Sequence, residues 1–198
     1  MPLAEIDIDA LGEIVNIGVG RAAASLSDLL GERIELQVPS MRMMTKADAK
    51  CDGPSGMSIL QEFKGQVSGN ALLVFPSESA KTLAKMLAGY DDSEDVQSLE
   101  LSGILSEVGN IVLNGVLGSL GNVLGCPLEY RVPDFFVDET LASLLSRDAN
   151  GDLATSEVLV ADTNFHVLSR QIKGTVLIAF KLGTMENLCE HLLRLGTN

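Results

Sequence analysis

The chain has 198 residues, of which 46% are hydrophobic, and it contains no tryptophan, so we expect a core of aliphatic side chains. Its formal net charge of -13 disfavours nucleic-acid or membrane-surface binding by charge but does not exclude a protein partner. Without a long apolar run, a secretory signal or a CxxC pair, the sequence predicts a reduced, cytoplasmic protein that does not insert into a membrane.

The predicted elements of the first half are a helix, three strands and a second helix. The first helix runs from about Asp7 to Leu30 and ends at Gly31, which suits the left-handed position after a helix. The first strand alternates in character and is predicted to stop at Pro39. The remaining elements are that strand, a hairpin of two strands and a closing helix capped by Ser77: Ile34–Val38, Met57–Phe63, Gly69–Phe75 and Ser77–Gly89.

The second half repeats the first after an acidic segment, Asp91–Ser98, which we predict to be the linker. With an offset of 94 residues, Asp9–Ser40 aligns without a gap on Gly103–Asp134, with eleven identities. A further match aligns Gly69–Phe75 with Gly174–Phe180. The predicted fold is therefore a single α/β domain over 1–198. Its two helix-strand-strand-strand-helix repeats, at about 5–90 and 99–198, are related by an approximate two-fold axis and share one sheet covered by helices.

A polar stripe runs along the first predicted helix. At 100° per residue, Asp9, Glu13 and Asn16 fall within a 60° sector, whereas most apolar residues point elsewhere. The stripe should therefore face outward, and a helix is a rigid platform for a functional site.

The second predicted helix carries the same stripe with two differences. Glu107 and Asn110 repeat the Glu/Asn pair, and Asn114 extends the stripe where the first helix has Gly20. Gly103 occupies the position of Asp9. Glycines inside both helices predict a close approach, either between the two helices or by a partner's backbone, and core packing is the favoured cause.

The Glu/Asn pair suggests chemistry that a partner completes. An asparagine amide can fix the position of a water, and a carboxylate one turn away can pair with a partner's lysine. Phosphoryl transfer needs mainly positioning of the attacking water and neutralisation of charge. Neither His166 nor His191 belongs to a ligand cluster, so no metal or other cofactor is predicted to be bound by this chain.

The spacing Asp9-x3-Glu13-x2-Asn16-x22-Pro39 resembles the signature of the CheC/CheX/FliY family of response-regulator phosphatases. The second copy, which contains Glu107, Asn110 and Pro133, departs from it only at Gly103. Two copies in a chain of this length resemble CheC in particular.

The resemblance implies hydrolysis of the aspartyl phosphate on a CheY-like receiver domain, in chemotaxis or another two-component pathway. Asn16 and Asn110 would orient the attacking water, and Glu13 and Glu107 would contact the receiver, which brings its own Mg²⁺. The other motif positions would support or flank the sites: Asp9, Pro39, Pro133 and Asn114.

Two alternatives compete with this prediction. The chain could be a non-catalytic adaptor that binds a phosphorylated receiver, the deamidase CheD, or both. A self-contained hydrolase is disfavoured, because the sequence has no Ser-His-Asp or Cys-His set and no phosphate-binding loop.

Overall fold

The computed structural model describes residues 5–31, 33–45, 56–91, 93, 96–125, 127–145, 157–167 and 170–180. The predicted closing helix of the second half, His191 and all three cysteines lie outside these residues. Within them, the elements in chain order are α1 (Glu5–Leu30), β1 (Ile34–Thr45), β2 (Gly56–Lys64), β3 (Gly69–Pro76), α2 (Ser77–Ala88), α3 (Ser98–Val123), β4 (Glu129–Tyr130), β5 (Asp134–Val137), α4 (Leu141–Leu145), β6 (Glu157–Val167) and β7 (Arg170–Phe180).

All seven described strands form one antiparallel sheet, in the order β1-β6-β7-β3-β2-β4, with β5 also paired to β2. Its centre is the pairing of β3 with β7, where Leu72 lies opposite Leu177. These leucines are equivalent in the two repeats, so the approximate two-fold axis passes through this pair. The first strand of each repeat pairs with the hairpin of the other repeat, which joins both halves in the predicted shared sheet.

The sheet is covered on both faces because its strands alternate buried side chains between two clusters. One face packs under α1, α2 and α3, and its strands contribute Ile59, Phe63 and Phe165 among others. The other face packs under α4, with Leu72 and Leu177 at its centre. The main core therefore lies between the sheet and the three longer helices.

The helices α1 and α3 touch backbone to backbone at two of the predicted glycines. A Cβ atom added to Gly18 would lie 2.5 Å from the Cα of Val116, and one added to Gly115 would lie 2.7 Å from the carbonyl oxygen of Gly18. At these two positions, close packing between the repeat helices is the reason for glycine.

Three boundaries differ from the sequence prediction. The strand β1 does not stop at Pro39 but continues to Thr45, with a register shift between Gln37 and Ser40. An edge strand tolerates proline at such an irregularity because no hydrogen bond of the sheet requires an N–H at that position. The residue Ser77 is the first helical residue of α2 and not its cap, since Pro76 holds the cap position and no side chain bonds there. In the second half, the first strand is divided into β4 and β5, with Pro133 between them.

By length and composition, α3 could span a membrane, since one 18-residue window has a mean hydropathy of 1.3. The sequence predicts no membrane-spanning segment because no unbroken apolar run is long enough. The mean hydropathy also identifies windows in which glycine and serine interrupt the apolar residues. In the fold, 44% of that window is buried, and α3 packs against α1 and the sheet. The core helix of a soluble protein passes the same test, so this is weak evidence for a membrane span.

Candidate functional site

The polar stripe of α1 faces outward, as predicted. Glu13 and Asn16 are exposed, while the neighbouring residues Leu11, Ile14 and Val15 are buried in the main core. The helical period therefore separates the stripe from the packing face. Asp9 lies in α1, but its side chain is outside the described part of the chain.

The proline of the first motif lies beside this stripe in space. Glu13 and Asn16 line an open pocket together with the β1 segment that contains Pro39. Gly12 lets this segment approach α1, because a Cβ there would be 3.3 Å from the terminal methyl of Met41. The three motif residues, separated by up to 26 positions in the chain, thus form one surface.

The adjacent part of β1 is held to β6 by polar side chains. The hydroxyl of Ser40 donates to Asp162 Oδ2 at 2.6 Å, and Arg42 Nη1 lies 3.0 Å from the same oxygen. These contacts fix the pocket wall that follows Pro39.

The second face is built in the same way on α3. Glu107 is exposed and Asn110 is half-buried, whereas Leu105, Val108 and Val112 are buried beneath them. Gly103 is exposed, and a Cβ added there would meet no atom within 4 Å.

A chain of hydrogen bonds, which we call the amide relay, distinguishes this second face. Asn114 Nδ2 donates to Asn110 Oδ1 at 2.8 Å. Gln61 Nε2 donates to Asn114 Oδ1 at 3.0 Å and to the backbone carbonyl of Arg131 at 2.9 Å. Since Arg131 lies two residues before Pro133, the relay connects the Pro133 segment to Asn110.

Sequence reasoning placed Asn114 beside the second site but missed Gln61. This glutamine lies in β2, is 1% exposed, and shares the helix-covered face with Ile59 and Phe63. One signal in the sequence could have found it. In the strand from Met57 to Phe63, Gln61 occupies one of the alternate positions whose other side chains are apolar and point into the core. Its partner on α3 is 53 positions away, and no local pattern predicts that contact.

Both glutamates are available to a partner. Neither Glu13 nor Glu107 makes a hydrogen bond or an ion pair with any residue that the structure describes. In the same part of the chain, no group of three or more His, Cys, Asp or Glu side chains could hold a metal ion.

Two family models match the chain, and each match contains one of the faces. The CheC-like family matches residues 6–41, which include Glu13, Asn16 and Pro39. The family described as chemotaxis phosphatase CheX matches residues 57–150, which include Glu107 and Asn110. Each model covers less than half of the chain, but together they confirm the resemblance to the CheC/CheX/FliY family that was drawn from the motif spacing.

Relatives of known name support this resemblance. The CheY-P phosphatase CheC of Bacillus subtilis is 28% identical over 145 residues, which cover 69% of this chain and 68% of the relative. The flagellar motor switch phosphatase FliY of the same species is 31% identical over 90 residues. That match covers 45% of this chain and only 24% of FliY, so the chain spans about a quarter of that relative's length.

Solved structures confirm the fold class. Thermotoga maritima FliY superimposes with a TM-score of 0.78 at 20% identity, covering 98% of this chain and 99% of that one. The complex of CheX with CheY, BeF3 and Mg²⁺ from Borrelia burgdorferi matches with a TM-score of 0.52 at 21% identity, covering 84% and 97%. The middle domain of Helicobacter pylori FliM also matches, with a TM-score of 0.69 at 12% identity and coverage of 96% and 99%.

The shared fold does not decide what a member of this structural group does. Proteins named FliY, FliM and CheX all have it, so function must be argued from side chains. In this chain, the candidate functional side chains are the two Glu/Asn pairs on the outer faces of α1 and α3.

Proposed function

We propose that the protein is a cytoplasmic phosphatase that hydrolyses the aspartyl phosphate of a CheY-like response-regulator receiver in two-component signalling. The observation that carries the proposal is the presence of an outward-facing Glu/Asn pair at equivalent positions of the two repeats. Similarity to a relative that is named the CheY-P phosphatase CheC supports it.

In this proposal, Asn16 and Asn110 each orient one water molecule for in-line attack on the receiver's phosphorus. The water oxygen forms a bond to phosphorus as the bond from phosphorus to the aspartate oxygen breaks. The products are inorganic phosphate and the free aspartate carboxylate, and the proton lost by the water leaves with phosphate or solvent. Positioning alone supplies much of such a rate enhancement, because a water held in line with the breaking bond reacts as if it were part of the same molecule.

The glutamates serve docking in this scheme. Glu13 and Glu107 are exposed and unpaired within the described residues, so each can form an ion pair with a lysine of the receiver. In this scheme the receiver brings the metal that neutralises charge during phosphoryl transfer. The presence of Mg²⁺ in the complex of CheX with CheY is consistent with this assignment.

Apolar side chains beside the polar groups favour docking of another protein. Ile17, which follows Asn16, is 49% exposed, and Val132, which precedes Pro133, is 87% exposed. Exposed apolar residues rimmed by polar ones are typical of protein interfaces.

The test measures phosphate release from a panel of phosphorylated CheY-like receivers, including CheY of Bacillus subtilis, with substoichiometric amounts of this protein. We expect multiple turnovers with the wild type, and a loss of at least about 100-fold when Asn16→Ala and Asn110→Ala are combined, because the attacking water is no longer held. Binding of the receiver should persist in the double variant.

The matched control is Asn122→Ala, which removes an exposed asparagine from the same helix as Asn110 and should leave turnover unchanged. Undiminished release by the double variant would refute the assigned roles. Stoichiometric binding without faster release would instead favour the adaptor, and a pull-down with CheD would then test the second partner considered for it.

A further inference from the structure

We infer that Gln61 and Asn114 are positioning residues of the second site, which fix the orientation of the Asn110 amide from the sheet below. The inference rests on the proposed function of Asn110. It concerns a strand residue from the first repeat acting on a site carried by the second.

The direction of every bond in the amide relay follows from one backbone group. The carbonyl of Arg131 can only accept, so Gln61 must present its Nε2 donors. The second of these donors meets Asn114 Oδ1, which leaves Asn114 Nδ2 to donate to Asn110. Asn110 therefore accepts through Oδ1, and both hydrogens of its own amide nitrogen are left for a ligand.

A fixed amide suits the proposed chemistry. The second lone pair of Asn110 Oδ1 can still accept a hydrogen bond from water, and the plane of the group is set before the receiver docks. A side chain held in its productive geometry loses less conformational freedom at the transition state, so a preorganised group raises the rate of the chemical step.

The first site lacks both supports of the relay. Asn114 corresponds to Gly20 by the offset of 94 residues. Gln61 corresponds to Ala161, because each pairs with an equivalent position of the central strands, Ala71 and Val176 respectively. Asn16 accordingly has no side-chain hydrogen bond to any described residue, so its amide can rotate.

The burial of Gln61 indicates a role beyond packing. It is 1% exposed, and its Oε1 has no hydrogen-bond partner among the described residues. An unsatisfied buried carbonyl costs free energy that an apolar side chain of similar length would avoid. The neighbouring Gly109 brings α3 against Ile59 of β2, which allows the glutamine to reach Asn114.

The experiment isolates the second site in an Asn16→Ala background, using the receiver of the panel that gives the fastest release. Asn114→Ala or Gln61→Met should each lower kcat about fivefold, the equivalent of one neutral hydrogen bond, with KM unchanged. Combining the two should lower kcat no further than either alone, because both act through the same amide.

A double-mutant cycle separates positioning from general destabilisation. In the Asn16→Ala background, adding Asn114→Ala to Asn110→Ala should lower the residual turnover no further, since the effect of Asn114 passes through Asn110. The inference would be overturned if Asn114→Ala caused the same fold-loss with Asn110 present and with Asn110→Ala, or if it left kcat unchanged with Asn110 present. Either result would leave the proposed function intact.

A second readout does not depend on activity. The side-chain amide resonances of Asn110, assigned by NMR in the full chain, should shift and lose their separation from exposed amides on Asn114→Ala. If they do not change, the relay is refuted. If they change as expected while no receiver is dephosphorylated by the wild type, the proposed function fails and not the relay.

Discussion

Asn16 and Asn110 show how two identical residues at equivalent positions can differ in their surroundings. Asn16 is exposed beside Pro39, whereas Asn110 is half-buried and accepts a hydrogen bond from Asn114. The surroundings do not explain why Gly103 stands where the first motif has an acidic residue, because a Cβ atom there would meet no atom within 4 Å. Packing does not exclude aspartate from the second motif.

At the same scale, the two glutamates should act in binding and not in the chemical step. We expect Glu13→Gln combined with Glu107→Gln to raise KM for the phosphorylated receiver by about fivefold with little change in kcat, because an exposed ion pair contributes up to about 1 kcal/mol. The dependence of KM on salt should weaken in parallel, and steady-state release at several ionic strengths measures both.

Glu78→Gln is the charge-matched control for Glu13→Gln and Glu107→Gln measured one at a time. It removes one exposed carboxylate from α2, which carries neither site. A rise in KM as large as that of either single variant would mean that net charge, and not a specific contact, governs docking.

The two Glu/Asn pairs were predictable because their spacing is a property of one helix. Glu13 and Asn16 lie three positions apart, and helical geometry alone places them on one face. The contribution of Gln61 was not predictable, since it depends on how α3 lies over a strand of the other repeat. The pattern of residues within one helix or one strand does not indicate which residues of two different elements come into contact.

At the scale of elements, the crossing of α1 and α3 places both sites on the same side of the sheet. The helices meet at Gly18 and Gly115, where a Cβ atom would collide with the opposite backbone. Other glycines of these helices have open space beside them, including Gly20 and Gly118. The glycines thus divide into those that packing requires and those that it does not.

This division predicts opposite effects of two alanine substitutions two residues apart on one helix. Gly18→Ala should lower the free energy of unfolding by about 1–3 kcal/mol, because the backbone of α3 must move away. Gly20→Ala should raise it by up to about 1 kcal/mol, because alanine is the better helix former and its methyl group meets nothing. Chemical denaturation of both variants measures the difference, and equal effects would contradict the close crossing.

Most elements of the first half could be predicted from the sequence, for reasons that lie in short segments. The hairpin of β2 and β3 follows from two apolar runs around a turn, and the end of α1 follows from Gly31, whose φ is 67°. The behaviour of Pro39 could not be predicted in this way. Whether a proline ends a strand or lies within it depends on the strand being at an edge, and that position is set by β6, more than a hundred residues later.

At the scale of the whole molecule, the two repeats exchange their first strands. β1 pairs with β6 of the second repeat, while β4 and β5 pair with β2 of the first. The relay of Gln61 is a consequence of this exchange, because it places β2 under α3. The second site is therefore assembled from both halves of the chain.

The exchange leads us to propose that residues 1–198 fold as a single unit, and that neither half folds alone. In a fragment of residues 1–90, α1 would lose its packing against α3, β1 would lose β6, and β3 would lose β7. The exposed edges and the uncovered apolar face favour association or disorder over a folded monomer. We expect light scattering and circular dichroism to find no folded monomer of this fragment, and co-expression with residues 91–198 to restore the native spectrum. A monomeric fragment with cooperative thermal unfolding would instead show that each repeat has a sufficient core of its own, and the strand exchange would then contribute to the sites without being required for folding.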